Sequence, residues 1–206
     1  MTLLPSQAEL EHWNRQWESL PRLKNYYAQE KALEWLFKAY PQNTVLEQVL
    51  IKVTALDTLY STSIFHITET AQHICTALID FDARVKEGDL SLVKDLAVFK
   101  VVQVDGQERE KHIFSFASKY CSWHNPEAYP IYDSKVRDKL RAFKNDLGKD
   151  LVYTKGSLDT YDGFCNAMAE VRDKFHLDPS MKRIDRYLWA WAKDDDCKAS
   201  NSKTTS

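Results

Sequence analysis

Apolar residues recur at helical spacing through most of the chain. Leu10, Trp13, Trp17 and Leu20 share one face, as do Leu46, Val49, Leu50, Val53 and Leu56. Ile67, Ala71, Ile74, Cys75 and Leu78 repeat the spacing. So do Tyr161, Phe164, Cys165, Met168, Val171 and Phe175, and finally Ile184, Tyr187, Leu188 and Trp191. Steps of three and four keep each set on one side of a 3.6-residue turn, so each set predicts an amphipathic helix. Arg22 to Tyr40 reads as a further helix. Leu90 to Val102 carries a weaker helical pattern, and Phe99 to Val104 within and beyond it suits a short strand. Trp13, Trp17, Trp35, Trp189 and Trp191 follow helical spacing and are expected in the core.

The breaks between these segments agree with the count. Pro41-Gln42-Asn43 ends one helix, and Asn43 or Thr44 is placed to cap the next. Lys86-Glu87-Gly88-Asp89, Val104-Asp105-Gly106-Gln107 and Lys155-Gly156-Ser157 read as loops. Five glycines and no sustained alternation argue against a substantial sheet. The expected fold is therefore all-α: one helical domain over 1–193, then a small, polar, disordered tail over 194–206. No linker divides the chain, but two helical lobes around a cleft stay open as an arrangement.

Composition narrows the function classes. Hydrophobic residues at 44% supply a real core, while a net charge of −2 gives no global attraction to nucleic acid. Any nucleic-acid role must rest on local clustering. Cys75, Cys121, Cys165 and Cys197 are widely separated with no C-x-x-C spacing, which argues against zinc, an iron–sulfur cluster or a disulfide framework. No metal or cofactor is expected, and a reducing cytoplasm is the natural setting. The N-terminus lacks a basic then apolar leader, and no apolar run is long enough to span a bilayer, so no membrane partner is expected.

The unusual segment is HIFSFASKYCSWHNPEAYPIYDSKVRDKL, from His112 to Leu140. Phe114 to Trp123 predicts a helix with Phe116, Tyr120 and Trp123 on one side. His124 to Tyr132 is a loop in which Pro126 and Pro130 hold Asn125 and Tyr129 extended. Asp133-Ser134 then opens another helix, with Val136, Leu140 and Phe143 repeating at helical spacing. From Lys135 to Lys144 the chain carries Lys135, Arg137, Lys139, Arg141 and Lys144 against only Asp138, the most basic local run.

This pattern resembles the helix-hairpin-helix DNA glycosylase superfamily, and most closely its bacterial 8-oxoguanine-glycosylase-like branch. There a Pro-containing loop of the form V-P-V-D-T/V-H-V places an Asp at a helix start; the matching stretch here is Tyr129-Pro130-Ile131-Tyr132-Asp133-Ser134-Lys135-Val136. Upstream, Leu56-Asp57-Thr58-Leu59-Tyr60-Ser61-Thr62-Ser63-Ile64 is similar to the family's I-L-S-Q-Q-T-S segment, whose interhelical loop fills the gap left by a flipped base. The family hairpin G-x-G, which offers backbone N–H groups to a phosphate, has no counterpart: His112 to Ser118 contains no glycine.

The resemblance implies a helical glycosylase fold, base excision from double-stranded DNA carrying a modified base, and a monomer. It implies Asp133 as the catalytic carboxylate, stabilising positive charge on the sugar as the base departs. Lys119 takes the place of the Schiff-base lysine of bifunctional members, an amine that attacks C1′ and adds strand-cleaving lyase chemistry. Tyr60, Trp123, His124 and Tyr132 would line a pocket for the extruded base, by stacking and edge hydrogen bonds. Ser61, Thr62, Lys135, Arg137, Lys139 and Arg141 would contact the DNA backbone.

Simpler roles stand beside each of these. Asp133 before an amphipathic helix is what an N-cap looks like. Lys119 suits a lysine that is exposed or that only touches phosphate, Tyr60 to Thr62 suit a helix end, and the basic run suits a solvated face. Two further functions use the same scaffold: a phage-defence glycosylase acting on a hypermodified viral base, and a non-catalytic helical DNA-binding module.

Overall fold

The computed structural model describes residues 4–21, 23–102 and 106–204. In chain order its helices are α1 (Gln7–Ser19), α2 (Lys24–Ala39), α3 (Leu46–Tyr60), α4 (Ile67–Gln72), α5 (Phe81–Glu87), α6 (Ser91–Ala97), α7 (Phe114–His124), α8 (Ser134–Leu147), α9 (Tyr161–Lys174) and α10 (Met181–Thr204). The one sheet among the described residues is an antiparallel hairpin of β1 (Val98–Val102) and β2 (Glu108–His112), in which Val98 faces His112 and Lys100 faces Glu110. The fold is thus predominantly helical, as the periodicity predicts.

The chain comprises two compact units. A terminal unit takes residues 1–27 and 132–206, and a central unit takes 28–131. Neither crossing point is a linker. One falls inside α2 and the other between Ile131 and Tyr132, where no composition shift marks it.

In the terminal unit Ser6 Oγ caps α1 by accepting from Glu9 N at 3.2 Å. α1 and α8 both pack on α10. Leu10 and Trp13 face this core with Ile184, Tyr187, Leu188 and Trp191, and Phe143 of α8 meets Trp191 at 5.7 Å. Burying each such aliphatic or aromatic side chain stabilises the fold by roughly 1.5–3 kcal/mol. Residues 194–204, where a disordered tail is predicted, instead continue α10. At its start Lys139 of α8 forms an ion pair with Asp195, and Asp194 is buried.

In the central unit α3 packs on α4 and α7, and α6 packs on α7. Leu33, Leu36 and Phe37 of α2 and Val49, Val53 and Leu56 of α3 are buried. Trp35 departs from the sequence expectation: it is 68% exposed, because at 100° per residue it lies opposite Leu33 on α2. The amphipathic stretch from Ile67 runs as α4 and then widens into a π-helical turn at His73–Ala77. α6 ends where β1 begins, so the Leu90 to Val102 segment is helix, then strand. Arg22, the strand end and loop residues 103–105, and tail residues 205–206 lie outside the described residues. No described helix is long and apolar enough to cross a membrane.

Candidate functional site

Lys119 sits in the fully buried middle of α7 and is 3% exposed. Its Nζ donates to Ser115 Oγ at 2.7 Å and to Ser115 O at 3.3 Å, and lies 5.5 Å from the centre of the Tyr60 ring. A cation at that distance from an aromatic ring is attracted by the ring quadrupole. Tyr60 is the last residue of α3, so within the central unit the amine of α7 meets the end of the Leu56 to Ile64 segment. The solvent-exposed reading of Lys119 does not hold for this fold.

Beyond Tyr60 the loop is tightly organised. Ser61 takes the left-handed C-cap position with φ 52°. Asp57 Oδ1 accepts from Thr62 Oγ1 at 2.6 Å and from Ile64 N at 3.1 Å, and Ile64 is buried. Ser61, Ser63 and Phe65 all have positive φ (52°, 53° and 62°), a conformation that costs L residues free energy and collects at functional loops. Of the hydroxyls expected to face DNA, Ser61 is exposed and Thr62 is held by Asp57. The side chain that projects is Phe65, 84% exposed. A phenylalanine inside a hydroxyl-rich loop is the sequence signal that marks it.

At the far end of α7, Trp123 and His124 are half-buried among other aromatic rings. The Trp123 ring lies 5.9 Å from Phe37. The His124 ring lies 5.0 Å from Phe37, 5.3 Å from Tyr120 and 6.0 Å from Phe81, with Nε2 3.2 Å from Asn43 Nδ2. This is part of a buried polar network that the sequence reading does not identify. Lys52, fully buried, donates to Tyr40 O and Gln42 O at 3.0 Å each and to Asn43 Oδ1 at 2.7 Å. Asn43 Oδ1 also accepts from Tyr120 OH at 2.6 Å, and Asn43 Nδ2 donates to Asp82 Oδ1 at 2.6 Å. Asn43 therefore does not cap α3; the N-cap is Val45, with no side-chain cap bond. A lysine inside the apolar stripe Val49, Val53, Leu56 is the signal in the sequence for this network.

Burial, reinforced by the Lys52 charge, lowers the His124 pKa from 6.5 to about 3. Above pH 6.5 both folded and unfolded chains carry a neutral imidazole. Between pH 6.5 and 3 only the unfolded chain takes the proton, so stability falls as pH falls, by at most about 1.4 kcal/mol per pH unit. Urea unfolding midpoints measured from pH 7 to 4 are expected to drop accordingly, and His124→Gln to flatten that slope.

The remaining expected residues belong to the terminal unit. Asp133 is the N-cap of α8, its Oδ1 accepting from Lys135 N at 2.8 Å. Tyr132 donates through OH to Leu158 O at 3.1 Å, receives Arg137 Nη1 at 2.8 Å, and rests against Phe164 at 5.2 Å. The basic run is largely engaged within the unit. Arg141 pairs with Asp138 and Asp159 at 3.1 and 2.8 Å, and Arg137 approaches Asp159 at 3.7 Å. Lys139 is turned inward: it pairs with Asp195 and its Nζ lies 3.9 Å from the Trp191 ring centre, so it presents no amine to a phosphate in this conformation. Lys135, in the first turn of the same helix, is half-buried. No cluster of His, Cys, Asp or Glu suited to a metal ion occurs among the described residues.

Comparison with known proteins gives a family and no activity. An uncharacterized protein of Haemophilus influenzae is 38% identical over 152 residues, covering 74% of this chain and 70% of its own length. No solved structure matches. The HI_0787_N family model, described as an N-terminal domain, matches residues 7–128, a span that includes Tyr60, Phe65, the Lys52 network and Lys119 and ends before Asp133. With more than half of the chain matched, this protein belongs to the HI_0787_N family.

Proposed function

We propose that this chain is a DNA glycosylase that extrudes a modified base from a duplex and cleaves its N-glycosidic bond. The observation that carries the reading is the meeting of Lys119 and Tyr60. A helix-borne amine is taken out of bulk water and set against an aromatic ring at the end of α3, beside a strained loop that projects Phe65. A sequestered lysine is a suitable nucleophile toward C1′ once deprotonated, and aromatic faces suit an unstacked base. In this reading Asp133, the N-cap of α8, is the carboxylate that stabilises oxocarbenium character.

Borohydride trapping on abasic and lesion-bearing duplexes tests this directly. The expected result is a covalent protein–DNA adduct that disappears in Lys119→Ala, with base release preceding strand cleavage. Absence of any adduct or released base across oxidised, alkylated, deaminated and hypermodified duplexes would remove the reading. Release restricted to hypermodified viral bases would assign the activity to phage defence.

A non-catalytic DNA-binding module is the second reading. It is favoured by the capping bond of Asp133, which gives that residue a complete structural role. Salt-dependent duplex binding without product, unchanged in Asp133→Asn, distinguishes it.

A further inference from the structure

The polar network under α7 does more than fill a core. We propose that Asn43 and Tyr120 are positioning residues for Lys119: together with Lys52 they fix the rotation and depth of α7, and so hold the Lys119 amine on the Tyr60 ring. The effect on activity rests on the glycosylase reading; the geometry does not.

α7 is packed through Phe116, Ala117, Tyr120 and Cys121, all essentially without exposure. Apolar contacts of this kind are non-directional, so they locate a helix without fixing its rotation closely. A hydrogen bond is directional, and Tyr120 OH to Asn43 Oδ1 at 2.6 Å is a short one. Asn43 cannot yield to a turning helix. Its Oδ1 is shared with Lys52 Nζ, its Nδ2 and backbone N are both given to Asp82, at 2.6 and 3.1 Å, and Lys52 is tied to the end of α2. Turning the amide over would set its NH2 against the Lys52 ammonium, which has no acceptor to offer it. The network therefore joins the end of α2, α3, α5 and α7 at one amide.

Lys119 is the neighbour of Tyr120 in sequence and moves with it. A rotation of about 20° displaces an atom about 6 Å from a helix axis by about 2 Å. That is enough to carry Nζ off the Tyr60 ring, which belongs to α3, while leaving its bonds to Ser115 on the same helix intact. Lys52 also belongs to α3, so one network sets α7 against the helix that supplies the ring.

The test is amine labelling of the full-length protein, by reductive methylation with the Lys119 peptide followed by mass spectrometry over a pH series. In wild type Lys119 reacts slowly. Tyr120→Phe removes one oxygen and keeps the ring; it is expected to speed Lys119 labelling at least tenfold and to shift the pH of its half-maximal rate, while buried Lys139 in the terminal unit stays slow. Val85→Ala, a cavity on α5 outside the network, is expected to lower Tm and leave Lys119 slow. The proposal is overturned if Lys119 in Tyr120→Phe labels as in wild type, if Lys139 accelerates alongside it, or if Val85→Ala has the same effect. Should Tyr120→Phe not fold, Asn43→Ser is read by the same criteria, and failure of both to fold assigns the network to stability alone. On an abasic duplex, Tyr120→Phe is expected to trap at least tenfold more slowly than wild type. No trapping by wild type defeats the glycosylase reading but leaves the labelling result to decide the positioning role.

Discussion

Asp133→Asn is expected to lower base release by about 10²–10⁴-fold, the usual range for losing a positioned acid–base or charge-stabilising group, while leaving thermal stability within about 0.5 kcal/mol of wild type. The pairing of those two outcomes is what makes this substitution decisive. In the structure Asp133 has a visible job, since its Oδ1 accepts the Lys135 backbone N–H at 2.8 Å and starts α8. Asparagine does that job about as well, because its carbonyl oxygen can take the same bond at an N-cap. What asparagine lacks is the negative charge, and a developing oxocarbenium ion is stabilised by charge. Asp133→Ala supplies the complementary control. It removes both the cap and the charge, and should cost about 1 kcal/mol of stability, or about 2–4 °C in Tm for a chain of this size. Single-turnover base release on a lesion-bearing duplex, run beside thermal unfolding, measures both. If Asp133→Asn keeps wild-type rates, the carboxylate is a cap and nothing more.

Much of the helical framework was legible because it depends on local period alone. The stripes of Leu10, Trp13 and Trp17, of Val49, Val53 and Leu56, and of Phe164, Met168 and Val171 are buried faces. The same logic placed the start of α8 at Asp133. Where the outcome depended on a partner far along the chain, the sequence was silent. Residues 194–204 are polar enough to read as disordered, whereas α10 runs to Thr204, with Lys139 of α8 paired to Asp195 near the start of that stretch. Arg137 and Arg141 read as a phosphate-facing run until Asp159, from another segment, takes up their charge. Exposed pairs of this sort contribute little stability, but they change what the surface offers a polyanion. Asn43 looked like a cap because Asn after a proline-broken helix usually is one; its actual partners, Lys52, Asp82 and Tyr120, could not be read from spacing. The candidate site divides the same way. Lys119 and Tyr60 came from motif resemblance, whereas Phe65 emerged only once the loop's backbone conformation fixed which side chain projects.

Lys52→Met is expected to be the most destabilising single change in the central unit, at about 3–5 kcal/mol, the range for removing one partner of a buried charged network. The reason lies in what remains. Methionine matches the stem of lysine and fills the space among Val49, Val53 and Leu56, so little packing is lost. The carbonyls of Tyr40 and Gln42 and the Asn43 amide oxygen each lose the donor they have now, and a buried acceptor left unsatisfied costs about 1–3 kcal/mol. The rings of Phe37 and Tyr120, 5.4 and 5.6 Å from Nζ, lose a cation as well. For a chain of this size the loss corresponds to a fall of roughly 6–20 °C in Tm. The pH dependence carries a sign of its own. Burial lowers the Lys52 pKa from 10.5 to about 8, against an opposing pull from Asp82, so near pH 7 the native group is mostly the ammonium that the three acceptors require. Between pH 8 and 10.5 the unfolded chain holds a proton that the native state has released. Stability contributed by this group therefore rises with pH across that window, and Lys52→Met lacks the rise. The gap between wild type and variant should widen from pH 8 to pH 10.5 in urea unfolding. A variant as stable as wild type, or a gap that narrows over the same range, would mean that the network's hydrogen bonds do not hold α2, α3 and α7 together.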